Sequence, residues 1–467
     1  MKKHFALILN LSLIHFLLGL DINIVSVSLP SIASHFNVDI NVVSRIVWVY
    51  FLVLTCFLLV FGKLGDLKGF KKIYITGIAV FVSGSLLCYL ADNFNLLVAS
   101  RVYQAFGSAV LFALTPAIIA SSIPPEIRGK VFGINYSFTA LGGILGRAAS
   151  GFLVEAFGWN SIFLINIPVG IITLYISYKY ITNHTQSRSK FRIDFTGMIL
   201  AFLALLSLLY AINTGDYFGW SSAVIILLFA CAAIFTALFI WRQTLISYPL
   251  LSLNTFKSKS ISFSIVSFIF VYIITNGMIY ITPFLLLWVK GYSKENTGLL
   301  MAVPSLLQFV SGYLSGYLSD KINSKSVRIS GMILISLSLL AYTLIAPATE
   351  TYIIIFILSF YGFAIGFFIP SNTNNIMSSA LKEEKGIVSS LMTTSVRLGS
   401  ALGVVLFGAV FTMFVPQKNP IQSGIQPAEL MAGFKPVFVL GFAAAIAGLI
   451  FVLGGTDKNS SKQKSPA

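Results

Sequence analysis

Charge is what this chain has least of. Only 10% of its 467 residues are Asp, Glu, Lys or Arg, against about 25% in ordinary soluble domains, and that excludes a fold whose surface faces water all round. Acid is scarcer than base, with 15 acidic side chains to 31 basic ones. Cysteine is scarce too: Cys56, Cys88 and Cys231 sit singly inside apolar runs, and without paired spacing they exclude a disulfide or zinc framework and read as packing residues. No nucleophile with its base, no cluster of metal ligands and no phosphate-binding loop stands out. The chain therefore does not read as an enzyme, and no cofactor or metal is expected.

What it has in abundance is hydrocarbon, with 57% of residues hydrophobic. Runs of about 20 apolar residues recur along the whole length, each long enough to cross a bilayer as a helix. Cutting them at charged or Gly/Pro/Asn-rich breaks predicts an all-α polytopic membrane protein with 14 spans: 5–30, 41–61, 73–91, 96–121, 131–154, 161–181, 193–213, 221–241, 261–285, 298–318, 329–346, 351–378, 387–415 and 435–455. The first run continues to Pro30 without a small-residue cleavage site, so it reads as an uncleaved span rather than a signal peptide. An even number of spans puts both termini on one side. That side carries 23 of the 31 lysines and arginines, the opposite side 5 and the span interiors 3, so the positive-inside rule makes both termini cytoplasmic. The net charge of +16 is spread over short loops, as at Lys63, Lys68, Lys71 and Lys72. That is a topology signal and contact with anionic lipid rather than a nucleic-acid stripe. The tail 456–467 is polar and reads as disordered.

The chain also repeats itself. Residues 121–151 align without gaps on 378–408, an offset of 257 that places Gly129, Gly142, Gly146 and Gly151 on Gly386, Gly399, Gly403 and Gly408. A second match sets "GKLGD" at 62–66 on "GYLSD" at 316–320, an offset of 254. Parallel repeats of this kind are a transporter architecture with the substrate site at their interface. Spans 2 to 5 correspond to spans 10 to 13, a shift of eight rather than six. The expected organisation is a six-helix bundle over 1–181, an additional helix pair with its connectors over 182–260, a second bundle over 261–455 and the tail.

With these motifs the sequence resembles the major facilitator superfamily, and within it the fourteen-span drug:proton antiporter branch. "GKLGDLKGFKK" at 62–72 is similar to the family's cytoplasmic gate motif through Gly62, Asp66, Gly69, Lys71 and Lys72, with Asp320 at the repeat-related place; Leu67 and Phe70 stand where basic residues are usual. "LDINIVSVSLP" at 20–30 resembles the first-span motif through Asp21 and Pro30, and "RVYQAFG" at 101–107 the fourth-span motif through Arg101, Gln104 and Gly107. Gly133, Gly142, Gly146 and Gly151 match the fifth-span helix-packing motif, whose usual Gly-Pro pair here reads Gly146–Arg147. The physical reading agrees: small residues let helix backbones approach closely, Gly62 and Gly69 are expected to bracket a tight turn, and Asp66 is suited to accept from backbone N–H groups or a helix N-terminus.

Of the acidic residues only Asp21 lies well inside a span, and Arg101 lies at comparable depth on the fourth, with Gln104 on its helical face. Intramembrane charges mark pairs, proton relays or substrate paths. Asp21 is the candidate proton and cation site, with Arg101 as its electrostatic modulator; the alternative is a static Asp21–Arg101 brace. His15 is either a second proton carrier or, lying on a different helical face from Asp21, a hydrogen-bonded histidine between helices. Arg147 has three readings open: a partner for Asp21 or an anion, a structural arginine, or an obstruction where proline is usual. Arg397 either bonds carbonyls and amides or meets an anion. Asn276, Tyr280, Gln308 and Asn372 are candidates to line the second half's cavity, or to bond helix to helix. The resemblance implies a bacterial plasma-membrane transporter, monomeric, that exchanges protons for amphipathic, often cationic, drugs. The rival expectation is a carrier of an anionic amphiphile that uses the embedded arginines.

Overall fold

A computed structural model describes residues 2–38, 40–43, 45–181, 194–246, 249–251, 253–414 and 426–455; the expected tail at 456–467 lies outside them. Helix is the only extended regular structure in these residues, and 14 α-helices have 15 residues or more. They are α1 (Lys2–Phe36), α2 (Arg45–Lys68), α3 (Phe70–Tyr89), α4 (Phe94–Ser122), α5 (Pro125–Phe157), α6 (Asn166–Tyr180), α7 (Phe195–Phe218), α8 (Ala223–Leu245), α9 (Lys259–Phe284), α10 (Lys294–Leu318), α11 (Ser324–Thr343), α12 (Thr351–Ser379), α13 (Lys385–Phe414) and α14 (Pro427–Gly454). In lipid this is what the backbone requires, since a helix satisfies every N–H and C=O within its own segment. Among the described residues, twelve stretches are long and apolar enough to cross a membrane. One of them, Asn296–Thr343, takes in both α10 and α11 with the five-residue π-turn between them. Helix α5, with Glu126, Arg128, Lys130, Arg147 and Glu155 along it, is not among the twelve.

The chain divides into two compact units. The first comprises residues 1–124, 134–253 and 381–394. Its helices pack through glycine: a Cβ on Gly142 would lie 2.1 Å from the Phe16 carbonyl oxygen and one on Gly146 2.7 Å from that of Leu20, so α5 and α1 touch backbone to backbone. Between α2 and α3 the turn is a single residue, Gly69, whose φ of +86° a side chain would resist. Gly62, expected at that turn, lies inside α2.

Helices α7 and α8, which belong to the first unit, are tied to each other by a node at one end. Asp194 caps α7 by accepting from the Gly197 N–H at 2.8 Å, and also accepts from Arg242 Nε at 2.7 Å and Gln243 Nε2 at 3.0 Å on α8. Burial opposes the charge of Asp194, but these donors outweigh it and hold the carboxyl below the usual carboxylate range. The unfolded chain therefore takes up this proton at higher pH than the folded one. The node's contribution is complete above the ordinary carboxylate pKa of about 4 and is lost as pH falls through the lower folded value. Asp194→Ala is expected to cost about 1–2 kcal/mol, as for loss of an N-cap. It should also flatten thermal stability against pH below about 4, read by melting curves of the purified protein.

The second unit comprises residues 125–133, 254–380 and 395–467. Here a Cβ on Gly399 would meet the Ile269 carbonyl oxygen at 2.7 Å and one on Gly403 that of Ile273 at 2.3 Å, so α13 packs on α9 as α5 packs on α1. Its core is aromatic, with Phe411 and Phe434 centroids 4.8 Å apart and Tyr342 and Phe438 5.3 Å apart. Such packing holds membrane helices together through dispersion, because lipid tails remove the hydrophobic drive between them.

Candidate functional site

One cluster in the first unit gathers ionised, amide and hydroxyl side chains from α1, α3, α4 and α6. Asp21 on α1 is 0% exposed and Arg101 on α4 is 1% exposed. Arg101 Nη1 donates to Asp21 Oδ2 at 3.0 Å and to Oδ1 at 3.3 Å, and also to Gln104 Oε1 at 2.5 Å. Gln104 Nε2 donates to Asp21 Oδ1 at 3.1 Å, and Asn166 Nδ2 of α6 donates to the same oxygen at 2.8 Å. Ser85 of α3 accepts from Gln104 at 2.7 Å and from Asn166 at 3.3 Å while its hydroxyl bonds the Phe81 carbonyl. On the other side of the guanidinium the Tyr50 ring of α2 lies 4.1 Å from its central carbon and the Phe163 ring 5.7 Å away. Stacking on an aromatic face and a planar donor fork are properties lysine lacks, so arginine suits this place.

The local sequence explains the convergence. Arg101 and Gln104, three residues apart on α4, share a helical face. Gly84 lets α3 and α4 close on this point, since a Cβ there would lie 2.7 Å from the Gln104 Cα. Asp21 lies one residue past Leu20, where α1 is held against Gly146 of α5. A buried carboxylate bonded to one guanidinium and two amides is chemically versatile: it can hold a proton or exchange its arginine partner for another cation.

The expected residues fall in several places. Asp21, Arg101 and Gln104 are brought together. Asn166, Ser85 and Tyr50 belong with them and went unnoticed in the sequence, where neutral polar side chains in apolar runs are common. His15 Nδ1 lies 3.0 Å from Thr139 Oγ1, between α1 and α5. Arg147 and Gly151 lie on α5, but the surroundings of both fall outside the described residues.

In the second unit, Asn276 donates to Ser400 Oγ at 2.9 Å and to the Tyr272 carbonyl four residues back. The half-buried Arg397 lies within electrostatic reach of Tyr272. Tyr280 is 40% exposed, with its ring over Gly408. Gln308 is half-buried, its backbone facing Gly366. Asn372, fully buried, donates to the Ser264 carbonyl at 3.0 Å, while the Ser264 hydroxyl accepts from Arg328 at 2.9 Å. Arg328 is 1% exposed. It escaped notice because it stands one turn into α11 beside Lys321 and Lys325 and reads as a loop-end charge.

The matched packing also shows where the units differ. Leu20 against Gly146 and Ile273 against Gly403 set α1 on α9 with an offset of 253. Asn23 then falls on Asn276, and each donates to the carbonyl four residues before it. Asp21 falls on Ile274, which is buried. The carboxylate is a feature of the first unit alone.

Carboxylates also close both gate-motif segments. Asp66, in the last turn of α2, accepts from the N–H groups of Gly386 and Ile387 at 2.8 and 2.9 Å, where α13 begins. Asp320 accepts from the N–H groups of Gly129 and Lys130 at 2.8 and 2.6 Å, in the first turns of α5. Gly62 has its use here rather than in a turn: a Cβ on it would strike the Ser390 hydroxyl and the Gly386 carbonyl. Gly133 is similarly close to the Gly312 carbonyl. Lys71 extends over the Tyr178 ring, its Nζ 5.2 Å from the centroid.

The profile of the Major Facilitator Superfamily matches residues 11–404. The chain belongs to the Major Facilitator Superfamily. It is 28% identical over 468 residues to the riboflavin transporter RibZ of Clostridioides difficile (strain 630), covering 99% of this chain and 100% of that one. It is 27% identical to the multidrug resistance protein Stp of Mycobacterium tuberculosis (strain ATCC 25618 / H37Rv), covering 86% of this chain and 74% of that one. Among solved structures, the human organic anion transporter MFSD10 (TETRAN) superposes with a TM-score of 0.65 at 14% identity, covering 96% of this chain and 97% of that one, a likeness of fold. As a member of this superfamily the chain is a multi-pass plasma-membrane transporter of small molecules and not an enzyme.

Proposed function

We propose that this transporter exports amphipathic, often cationic, compounds in exchange for protons by alternating access, and that Asp21 is the carboxylate that couples the two fluxes. The observation that carries the reading is the Asp21–Arg101 pair itself, fully buried and bonded to Gln104 and Asn166. An intramembrane carboxylate whose charge is balanced by one guanidinium can give up that balance to a proton or to a cationic substrate. Relatives named as a multidrug resistance protein and a multidrug transporter protein support the drug reading. The working topology is 14 spans with both termini cytoplasmic. Helix α5 counts as a span because its 33 residues extend about 50 Å, and α10 and α11 count separately because a π-turn parts them. Bundles over 1–181 and 261–455 flank the inserted pair at 182–260, and the monomer is the working form.

A second reading has one specific support. A relative matched from end to end is named a riboflavin transporter, which favours a planar neutral or anionic heterocycle, with Arg147 and Arg397 as candidate contacts. Proteoliposomes separate the two. For one-for-one exchange, an inside-acid gradient of one pH unit is worth about 1.4 kcal/mol, or tenfold accumulation. The proposal expects about that accumulation of a cationic dye and none of riboflavin or a fatty acid. Accumulation of riboflavin alone would establish the second reading.

A further inference from the structure

An apolar groove of about 360 Å³ lies in the first unit, lined by Val49 and Leu52 of α2, Leu206, Ser207 and Tyr210 of α7, and Leu228 of α8. Its volume falls in the ~300–1,000 Å³ range of small-molecule sites. It exists because α7 packs on α2 with α8 beside α7, and Val49 and Leu52 line it on a different flank from Tyr50, which serves Arg101. The groove has a definite depth. Trp220 stands 40% exposed at the tip of the α7–α8 hairpin, a position typical of the membrane–water interface. Leu228 lies eight residues further along, about 12 Å at the helical rise. Tyr210, Leu206 and Ser207 precede that tip on α7. On α2 the groove residues lie four and seven residues past Arg45, about 6 and 10 Å deeper.

Arg45 is the second observation. It is exposed, opens α2, and shares a helical face with Val49 and Leu52 through the i, i+4, i+7 spacing. A cation thus stands at headgroup level above a groove at acyl depth. Water is a poor occupant of an apolar groove at that depth, whereas a lipid presents a chain and an anionic head at this separation.

We propose that the groove binds one acyl chain of an anionic phospholipid whose phosphate is held by Arg45. The lipid thereby fills the seam between α2 and the inserted pair, a role independent of Asp21 and of the transported substrate.

The test uses the full chain in nanodiscs containing phosphatidylglycerol with a photoactivatable acyl chain, followed by peptide mapping of the cross-links. Label is expected on the segments around 49–52 and 206–210. Leu206→Trp, which fills the groove, should remove it, whereas Leu227→Trp on the exposed face of α8 should not. One basic residue near a charged surface is worth about 1 kcal/mol, so Arg45→Gln should lower the labelling about fivefold. Phosphatidylcholine carrying the same acyl chain should label less and be insensitive to Arg45→Gln. Melting curves establish that the variants are folded. Labelling spread evenly over the exposed helix faces, or unmoved by Leu206→Trp, overturns the proposal as bulk-lipid contact only. Equal labelling by the two lipids with no effect of Arg45→Gln also overturns it.

Discussion

Asn in place of Asp21 is expected to abolish the response of transport to a pH gradient. The amide keeps the shape of the carboxyl and an oxygen for the Asn166 and Gln104 donors at 2.8 and 3.1 Å. It cannot take up a proton in this pH range, and it does not balance Arg101. A buried guanidinium left without its carboxylate costs about 3–5 kcal/mol, so Asp21→Asn should also melt earlier, and loss of transport alone would not separate coupling from damage. The variant Asp21→Asn/Arg101→Gln does. With both charges removed, neutral amides remain around Ser85, and replacing a buried pair as a whole is often nearly neutral. Its stability should return to within about 1–2 kcal/mol of the parent, while gradient-driven accumulation of a cationic dye stays absent. Recovery of proton-driven transport in that variant would make the pair a brace between α1 and α4. Proton-driven transport in Asp21→Asn alone would remove Asp21 from the coupling step.

Much of this site was legible because charge is so rare in the chain. Asp21 and Arg101 stand out against apolar runs, and the spacing to Gln104 puts the third member on the same face. Asn166, Ser85 and Tyr50 were not legible for the converse reason: serine, asparagine and tyrosine are ordinary in membrane helices, and only convergence at Asp21 distinguishes them. The glycine repeat was legible, and its physical content is the close approach of α5 to α1 and of α13 to α9. The repeat did not reveal that its two alignments interlock. Asp66 and Asp320 come from one match, Gly386 and Gly129 from the other, and each carboxylate closes the helix that opens with the glycine of the opposite half. Pattern along a chain reports faces and spacing, whereas this pairing joins residues 320 and 191 positions apart.

These two caps carry the second large effect. Each Asp accepts two backbone N–H groups with its two oxygens, at a helix start where the macrodipole favours negative charge. The glycines leave room for this: a Cβ on Gly386 would lie 2.7 Å from Asp66 Oδ1, and one on Gly129 2.5 Å from Asp320 Oδ1. Asp→Asn keeps one acceptor, strands one N–H at about 1–3 kcal/mol, and forfeits about 0.3–1 kcal/mol of dipole interaction. Asp66→Asn and Asp320→Asn share no donor, so their costs should add. The double variant should then weaken the two helix starts by roughly 3–8 kcal/mol in total. Ser390 reports on the first cap, because its hydroxyl is buried against the Gly386 carbonyl beside Gly62. In a background with the three cysteines replaced by serine, Ser390→Cys should react with a water-soluble maleimide at least about tenfold faster when Asp66 is Asn, since 1.4 kcal/mol is a factor of ten. A rate unchanged by Asp66→Asn would mean that the N–H groups of Gly386 and Ile387 are held by the fold without the carboxylate, and that the gate motif closes by backbone packing at Gly62 alone.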